Sequence, residues 1–397
     1  MINCPRIELG QLVTPINGLW TGKKPPFKTV AVIRNTNFSK DCRLKMDDVA
    51  MIEVEERQFA SRKLQVGDII IEKSGGSDKQ PVGRPVLFNI SEGDYSFSNF
   101  TGTLRINDTS KVLPAYLQKY LYHFYLMGKT AEMQSKTTGL RNLDFKAYLR
   151  IPIPVPLIKE QQHIIEVFNL LGGIIDSKNA QLRDLDSLAK SMFHEMFGNP
   201  VVNEKGWPKK KLGDVCIIER GGSPRPIQEY LTDAPDGINW IKIGDAVAGS
   251  KFIRSTAEKI KPEGVRKSRF VHAGDFILSN SMSFGKPYIL DIDGCIHDGW
   301  LVLRDNQGIF NTSYLYYYLS SNDLYNEFKR LAVGGVVNNL NSNLVRGISV
   351  SIPPREKQDE FARKENEIEK QRSLLSRSIN EVEMLLNSKM DYYFSEV

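Results

Sequence analysis

The side chains best suited to catalysis are scattered along the chain and form no recognisable active site. Asp291 and Asp293 stand close together near a turn and could hold a metal ion, although carboxylates in turns are far more often simply solvated. The segment Asn199-Pro200-Val201-Val202 begins like the Asn/Asp-Pro-Pro-aromatic tetrapeptide of amino-group methyltransferases but fails at its third and fourth positions. The sequence also lacks a glycine-rich phosphate loop, a serine nucleophile elbow and a metalloprotease helix. These observations predict a noncatalytic protein.

Positive charge is concentrated in two stretches of the chain. Residues 1–159 and 198–356 have formal net charges of +8 and +3, whereas 160–197 and 357–397 have −3 and −2, which together give the total of +6. A basic surface suits a polyanionic partner, because neutralising phosphates supplies the sequence-independent part of nucleic-acid affinity. An ordinary basic surface is an equally good interpretation of the charge alone.

The location of the protein is predicted from what the sequence does not contain. Met1 to Val13 has no signal-peptide pattern, and no apolar run approaches the length of a membrane span. The four cysteines, Cys4, Cys42, Cys216 and Cys295, lie far apart, without metal-ligand spacing. We therefore expect a cytoplasmic protein with reduced thiols and no bound metal.

Two long amphipathic helices are predicted at 160–197 and 357–394, 197 positions apart. Alternating steps of four and three residues fall on apolar side chains at nine of ten positions in the first helix and seven of ten in the second. Such a seam indicates a coiled coil, with separately packed surface helices as the alternative. The predicted interface residues are Ile164, Phe168, Leu171, Ile175, Leu182, Leu185 and Met192 of the first helix and Phe361, Ile368, Leu375, Ile379, Val382 and Leu386 of the second.

The stretch before each helix is also repeated. Val66-Gly67-Asp68 matches Ala273-Gly274-Asp275, Leu104-Arg105 matches Leu303-Arg304, and residues 156–161 match 353–358. Short Val, Ile, Phe and Tyr runs predict many strands, and Tyr116 to Tyr125 and Tyr314 to Phe328 each predict a helix whose aromatic residues belong to the core. The expected fold is α+β: two β-rich domains, each followed by a long helix, with a pseudo-two-fold internal repeat.

This pattern resembles the DNA-specificity (S) subunits of type I restriction–modification enzymes. The most specific match is the helix entry Pro154-Val155-Pro156-Leu157-Ile158-Lys159-Glu160-Gln161, preceded by the glycine-containing segment 138–143 and echoed at 334–340. Two departures are the split Glu356-Lys357-Gln358 and the helical pair Gly172-Gly173. The resemblance implies a target recognition domain at 1–156, a conserved helix at 157–198, a second target recognition domain at 199–353 and a second conserved helix at 354–397, with the two helices packed antiparallel.

The resemblance also implies partners and a division of labour. Two methyltransferase (M) subunits would dock on the helices, and a restriction (R) subunit would join in complexes that cut DNA. S-adenosylmethionine would be bound by the M subunit, so no cofactor is expected in this chain. Because the two domains differ in sequence, the target would be an asymmetric bipartite site whose intervening bases are not read.

The candidate DNA contacts lie in polar loops after the Gly-Asp strands and at neighbouring Arg, Lys and Asn positions. Arg and Asn can make paired hydrogen bonds to guanine and adenine edges, whereas Lys and Ser more often bind phosphates. The candidates are Arg34, Asn35, Lys73, Ser74, Gly75, Gly76, Lys79, Arg84 and Arg141 in the first domain, and Lys242, Asp245, Asn280, Ser281, Ser283, Phe284, Lys286 and Asn338 in the second. At any one position, a plain surface-loop role is an equal alternative.

Two other classes of protein remain open at this stage. One is a noncatalytic scaffold whose tandem β-rich modules bind other proteins. The other is a restriction or methylation enzyme with a degenerate motif, for which Asp291, Asp293 and Asn199 would be the residues to test.

Overall fold

The chain forms two compact units that divide both long helices between them. Unit 1 comprises Met1–Asn179 and Ser378–Val397, and unit 2 comprises Ala180–Arg377. The computed structural model describes residues 4–20, 22, 24–77, 80–137, 140–247, 249–280, 285–332 and 340–395. The unit boundaries thus fall inside the helices rather than at 156, 198 and 353, where the sequence divides the domains from the helices.

Unit 1 is built from short strands and a few helices. The strands are β1 (Arg6–Glu8), β2 (Val13–Asn17), β3 (Phe27–Ile33), β4 (Ala50–Glu55), β5 (Ile69–Glu72), β6 (Ser74–Gly76), β7 (Pro85–Leu87), β8 (Tyr95–Phe97), β9 (Thr101–Ile106), β10 (Gln134–Thr137), β11 (Leu140–Leu143) and β12 (Pro152–Pro154). The helices are α1 (Leu9–Leu12), α2 (Glu56–Arg62), α3 (Pro114–Leu126), α4 (Phe145–Tyr148) and the first long helix, α5 (Ile158–Phe197).

These strands form small separate sheets. The largest has the order β2-β9-β5-β7 and is antiparallel throughout, and beside it are the sheets β4-β3-β8 and β10-β11-β6 and the pair β1-β12. Apolar residues on β5 and β9 pack against α3 and the start of α5 to form the main core of the unit.

Unit 2 repeats this plan. Its strands are β13 (Lys209–Lys211), β14 (Ile217–Arg220), β15 (Ile238–Ile241), β16 (Phe252–Ile253), β17 (Glu258–Ile260), β18 (Arg269–Val271), β19 (Phe276–Ser279), β20 (Pro287–Leu290), β21 (Gly294–Ile296), β22 (Trp300–Arg304) and β23 (Ser349–Ser351). Its helices are α6 (Leu212–Val215), α7 (Thr312–Leu319), α8 (Asn322–Ala332), α9 (Ser342–Gly347) and the second long helix, α10 (Arg355–Phe394). The sheets have the orders β14-β22-β19-β20-β16 and β17-β15-β21-β18, with the pair β13-β23.

The repeated Gly-Asp and Leu-Arg sequences form the same ion pair in both units. Arg105 donates to both carboxylate oxygens of Asp68 at 2.8 and 2.7 Å, and the Nε of Arg304 donates to Asp275 at 3.0 Å. Each pair joins the turn that begins β5 or β19 to the end of the neighbouring strand β9 or β22. The motif therefore recurs because it fixes the register of the central strands.

A buried glutamine at the start of each long helix explains the repeated helix entry. The side chain of Gln161 accepts a hydrogen bond from the Leu113 amide at 2.8 Å and donates to the carbonyls of Lys111 and Pro156 at 2.8 and 2.9 Å. Gln358 bonds in the same way to the Asn311 amide and to the carbonyls of Ile309 and Pro353. Both side chains are fully buried, so all three groups that each one satisfies depend on it.

The tyrosine-rich segments serve the fold, as the sequence predicts. The hydroxyls of Tyr116 and Tyr120 donate to carbonyls of β12, and those of Tyr314 and Tyr318 donate to carbonyls of β23. These hydrogen bonds hold each helix against the strand that leads into the long helix.

The single helix predicted over 314–328 is wrong, because the structure has α7 and α8 there. The hydroxyl of Ser321 donates to the carbonyl of Tyr318 at 2.9 Å and accepts from the amide of Leu324 at 3.3 Å. Ser320 likewise bonds back to the carbonyl of Tyr317. Serine side chains that compete for backbone groups end one helix here and begin the next.

Each unit uses the start of one long helix and the end of the other. In unit 1, Phe168 of α5 contacts Tyr393 and Phe394 of α10, and these rings join the same core as Tyr116 and Tyr120. In unit 2, Phe193 and Phe197 of α5 contact Phe361 of α10 in the core around Tyr314. Within unit 2, Asp186 also pairs with Arg372 at 3.4 Å, so the two helices run antiparallel there.

The predicted seam residues lie away from solvent: all thirteen are buried or partly buried. A polar seam position also has a partner. Glu365 is 2% exposed and accepts from Lys251 at 2.7 Å and from Ser313 at 2.8 Å. The sequence pattern missed Phe193, Phe197, Met390 and Phe394, which are more buried than several residues that it selected.

The glycine pair in the first long helix does not interrupt it. α5 continues through Gly172 and Gly173, and the space beside Gly172 is occupied by the Arg43 guanidinium, 3.6 Å from where a Cβ would stand. Arg43 pairs with Asp176 one turn later at 2.6 Å. Close approach of a neighbouring side chain, rather than a kink, is therefore the feature at this position. Among the described residues, no helix is both long enough and apolar enough to cross a membrane.

Replacing Gln161 with Ala should lower the free energy of unfolding by about 3 kcal/mol, because buried backbone groups lose their only side-chain partner. The matched control is the exposed neighbour Gln162, whose replacement by Ala should change that free energy by less than about 0.5 kcal/mol. Urea unfolding of the two variants measures the difference. Equal stabilities would contradict the structural role of Gln161.

Candidate nucleic-acid interface

The same close backbone contact lies beside the candidate interface in both units. Gly18 follows β2, and a Cβ there would lie 1.9 Å from the carbonyl oxygen of Ser98. Gly221 follows β14, and a Cβ there would lie 2.2 Å from the carbonyl oxygen of His297. Only glycine permits this approach. The two glycines therefore mark equivalent positions, and the side chains around them can be compared between the units.

In unit 1, five polar residues meet at the end of β5. We call Asn17, Asn35, Lys73, Ser74 and Asn142 the first polar cluster. The Nζ of Lys73 donates to Oδ1 of Asn17 at 2.7 Å, the hydroxyl of Ser74 donates to Oδ1 of Asn142 at 2.5 Å, and Nδ2 of Asn35 donates to the Ser74 carbonyl at 2.5 Å. Three of these residues were predicted from the sequence, whereas Asn17 and Asn142 were missed because they come from distant strands.

Lys73 is the charged residue of this cluster. Its Nζ lies 5.0 Å from the centre of the Phe145 ring, and within the described residues no carboxylate pairs with it. Partial burial lowers the pKa of Lys73, and no acidic group of the described residues counteracts that effect. A cation without a carboxylate partner is available to a phosphate or to an acceptor on a base edge.

The neighbouring candidates in unit 1 have weaker or shared contacts. The Arg34 guanidinium lies 3.9 Å from the Asp48 carboxylate and is partly exposed, and Arg141 donates to Oε1 of Gln134 at 3.5 Å. Gly75 and Gly76 lie on β6, which pairs with β11 and so brings them beside Asn142. These positions surround the first polar cluster as the sequence predicts, but nothing in the structure tests their contact with DNA.

Arg84 must be removed from the predicted DNA contacts. Its guanidinium is buried and donates to both carboxylate oxygens of Glu72, at 2.7 and 2.9 Å, and to the carbonyl of Phe38 at 3.1 Å. The sequence Gly83-Arg84-Pro85 is matched in unit 2 by Gly285-Lys286-Pro287. Lys286 is exposed, and its backbone amide donates to the Ser279 hydroxyl. The basic residue of this repeated sequence is therefore buried in unit 1 and exposed in unit 2.

The candidates around Lys242 in unit 2 have internal partners as well. Lys242 pairs with Glu258 at 2.5 Å, which neutralises its charge. Both carboxylate oxygens of Asp245 accept backbone hydrogen bonds, from the amides of Lys242 and Ala257, and so shape the turn. Contact of Asp245 with DNA stays a prediction. In unit 1, Asn37 accepts from the amide of Arg34 in the same way.

Unit 2 has a different set of side chains beside its glycine contact. We call Ser223, Arg225, Asn280, His297 and Asp298 the second polar cluster. The Asp298 carboxylate accepts from Ser223 at 2.7 Å, contacts Nε2 of His297 at 2.9 Å and lies 3.8 Å from the exposed Arg225 guanidinium, while Asn280 donates to the Asp298 carbonyl at 2.9 Å.

The second polar cluster lies at a cavity of about 850 Å³ in unit 2. Its lining combines apolar residues with Lys242, Glu258 and three members of the cluster; the apolar residues are Pro224, Pro226, Ile227, Leu231 and Trp240. Burial alone would raise the pKa of Asp298, but the Ser223 hydrogen bond and the nearby His297 lower it overall. Asp298 is thus kept ionised as an acceptor. Sequence reasoning missed all of this cluster except Asn280, since its members come from three separate segments.

Five predicted contacts, Lys79, Ser281, Ser283, Phe284 and Asn338, lie outside the described residues.

The residues that would serve a degenerate enzyme have ordinary structural partners. Asp291 pairs with Arg254 at 3.3 Å, Asp293 accepts from the amide of Ala273 at 2.8 Å, and Oδ1 of Asn199 accepts from the amides of Val201 and Val202. Nothing brings these three side chains together around a common point.

The fold and the two clusters define a tandem binding protein, in which one α+β frame occurs twice and carries different polar side chains at the same place. The family described as type I restriction modification DNA specificity domain matches the chain at residues 26–185 and again at 204–384. The chain belongs to this family, the S subunits of type I restriction–modification systems.

Individual relatives agree with this assignment. The putative type I restriction enzyme MjaX specificity subunit of Methanocaldococcus jannaschii is 20% identical over 368 residues, which cover 90% of this chain and 84% of the relative. The StySPI specificity subunit of Salmonella potsdam is 22% identical over 380 residues, covering 90% and 79%.

Solved structures share the fold. A chain from a study of complex assembly and conformational transition of the type I R-M system matches with a TM-score of 0.60 at 17% identity and covers 99% of both chains. The S subunit of M. genitalium matches with a TM-score of 0.54 at 12% identity, over 100% of this chain and 97% of that one. The expected fold class is confirmed.

Replacing Lys73 with Met should weaken DNA binding by about tenfold and reduce the slope of log affinity against log salt by about one, because one phosphate-neutralising cation is lost. Lys63 is the control: it lies before β5, at the opposite end of that strand from Lys73, and is paired with Asp94 at 2.8 Å. Its replacement by Met should leave the slope unchanged. Salt titrations of binding for the assembled complex provide the measurement, and an unchanged slope for K73M would contradict the assignment.

Proposed function

We propose that this chain is the noncatalytic subunit that determines which DNA sequence a type I restriction–modification complex recognises. Each unit would read one half of an asymmetric bipartite site. The observation that carries this proposal is the repetition of one frame with two different polar clusters beside equivalent glycines, Gly18 and Gly221. A frame used twice supports the same task performed twice, and unlike side chains support unlike half-sites.

The side chains of the two polar clusters are suited to different bases. The first offers Lys73, which has no carboxylate partner among the described residues, with amides from Asn17, Asn35 and Asn142. This set suits acceptors on purines and phosphates. The second offers the ionised acceptor Asp298 beside Arg225 and His297, a combination that can accept from cytosine N4 and donate to guanine. We therefore propose that the two half-sites differ in base composition.

The long helices would set the distance between the half-sites. A helix of 40 residues spans roughly 60 Å at 1.5 Å per residue, and α5 and α10 both have that length. Side chains of α5 and α10 pack together in unit 1 and again in unit 2. A helix pair held at both ends in this way supports a fixed spacer that is not read.

Catalysis would belong to the partners. Adenine-N6 methyltransferase (M) subunits would dock on the helices and supply S-adenosylmethionine and base flipping, and a restriction (R) subunit would join them in a complex that also cuts DNA. The structural roles of Asp291, Asp293 and Asn199 support a chain that positions these enzymes without forming or breaking bonds itself.

The direct test is a methylation assay with and without the M subunit of the same host. The chain alone should transfer no methyl groups, and the assembled complex should methylate adenines in one bipartite motif with two unlike halves. Long-read detection of N6-methyladenine in a host with and without the gene identifies that motif. Methyl transfer by the isolated chain would refute the proposal. Failure of the complex to bind duplex DNA at low salt would also refute it and would favour a protein-binding scaffold.

Inserting one heptad into both helices, between Asn179 and Ala180 and between Arg377 and Ser378, should lengthen the accepted spacer. Seven residues add about 10 Å of helix and preserve the seam, which corresponds to about three base pairs. Both half-sites should be unchanged because neither polar cluster is altered. The measurement is the methylation motif of the variant complex. A changed half-site with an unchanged spacer would contradict the role of the helices.

A further inference from the structure

Trp20 is an exposed aromatic side chain that the fold of unit 1 does not use. Its exposed fraction is 65%, whereas Trp240 and Trp300 are 1% and 0% exposed. The indole of Trp207 donates to the carbonyl of Phe197 at 3.0 Å. Tryptophan normally contributes a large apolar area to a core or an interface, and this indole is exposed and available to a partner.

The backbone around Trp20 is fixed by neighbouring elements. The Leu19 amide donates to the Phe97 carbonyl at 2.9 Å, the Trp20 amide to Oε1 of Gln58 at 3.4 Å and the Lys24 amide to Oε1 of Glu55 at 2.7 Å. Gly22 lies so close to the Glu55 side chain of β4 that a Cβ would be 2.2 Å away. The indole is therefore presented from a constrained backbone, which limits the entropy lost on binding.

The position of Trp20 associates it with the candidate interface. It follows Asn17, which holds Lys73, by three residues and the interface glycine Gly18 by two. The equivalent segment of unit 2, after Gly221, contains Ser223 and Arg225, which contact Asp298 and line the cavity. The segment after the glycine thus lies beside the polar cluster in both units, but only unit 1 has an exposed aromatic side chain in it.

The charge of the segment favours nucleic acid over protein as the occupant. Residues 20–28 include Lys23, Lys24 and Lys28, of which Lys28 pairs with Asp94 at 2.7 Å and Lys24 is exposed. An aromatic ring among lysines combines base stacking with attraction to phosphate, the combination used by proteins that contact unstacked bases.

We propose that Trp20 inserts its indole against the face of a base at the first half-site and opens the base stack there. This inference rests on the proposed DNA recognition by unit 1 and adds a contact that the polar cluster does not supply. The second half-site is contacted without an equivalent wedge, because Ser223 stands at the corresponding place. The DNA is therefore unstacked on one side of the bipartite site only.

The test uses the complete complex and a duplex carrying the methylation motif, with 2-aminopurine placed in turn at positions within and beside each half-site. Binding of the wild-type complex should raise 2-aminopurine fluorescence at a step in the first half-site and nowhere in the second. Trp20→Ala should abolish that rise and weaken binding about tenfold or more, while Trp20→Phe should retain most of both. The fluorescence of Trp20 is obtained by subtracting the emission of Trp20→Phe from that of the wild type. Acrylamide should quench this fluorescence less when DNA is added.

Val66→Ala is the matched control, because Val66 is 61% exposed in unit 1 and lies before β5, at the opposite end of that strand from Lys73. Its affinity and 2-aminopurine signal should equal those of the wild type. Normal binding by Trp20→Ala with an unchanged 2-aminopurine signal would overturn the wedge while leaving DNA recognition intact. Protection of Trp20 by the M subunit alone, before DNA is added, would overturn it in favour of a protein contact. Failure of the wild-type complex to bind the motif would instead refute the proposed function.

Discussion

The packing of each β-rich core onto parts of both long helices is the constraint on which the rest of the structure depends. The core of unit 1 contains Phe168 from the first helix and Phe394 from the second, and the core of unit 2 contains Phe197 and Phe361. The core of unit 1 is therefore completed by two separate pieces of chain, whereas unit 2 is one continuous segment, Ala180–Arg377. The last twenty residues of the protein therefore belong to the same unit as the first. Folding of the amino-terminal unit consequently requires the carboxyl-terminal end of the chain.

This arrangement separates the residues that repeat from those that differ. The repeated residues are internal: the Asp68 and Asp275 ion pairs fix strands, and Gln161 and Gln358 join each long helix to the loop before a tyrosine-rich helix. The residues that differ lie beside Gly18 and Gly221. A frame held by such contacts can carry new side chains at its polar cluster without losing stability, since those side chains contribute little to the core.

Charge in the described structure is largely compensated, which makes the exceptions informative. Arg84 is neutralised by Glu72 inside the protein, Lys251 by Glu365 and Lys242 by Glu258. A buried cation needs such a partner because removing it from water is costly. Lys73 instead has an amide oxygen and an aromatic ring as neighbours, which position it without neutralising it. The formal net charge of +8 over residues 1–159 therefore says less about DNA contact than the pairing of each individual cation does.

The amino-acid sequence was sufficient to predict the duplication, the two long helices with their apolar seam, and the family, because these features depend on periodicity and on motifs that are continuous in the chain. It also assigned the tyrosine-rich segments to the core correctly, although it missed the break at Ser320 and Ser321, where side-chain hydrogen bonds override helical periodicity. The identity of the polar residues that meet became clear from the folded chain. Asn17 and Asn142 join Lys73 from distant strands, and Ser223 and Asp298 meet across 75 positions of sequence. Arg84 and Lys286 look alike in the sequence, yet one is buried and the other exposed, because only Arg84 has a carboxylate, Glu72, within reach. Contacts between distant segments, and the burial that follows from them, leave no local pattern from which they could be read.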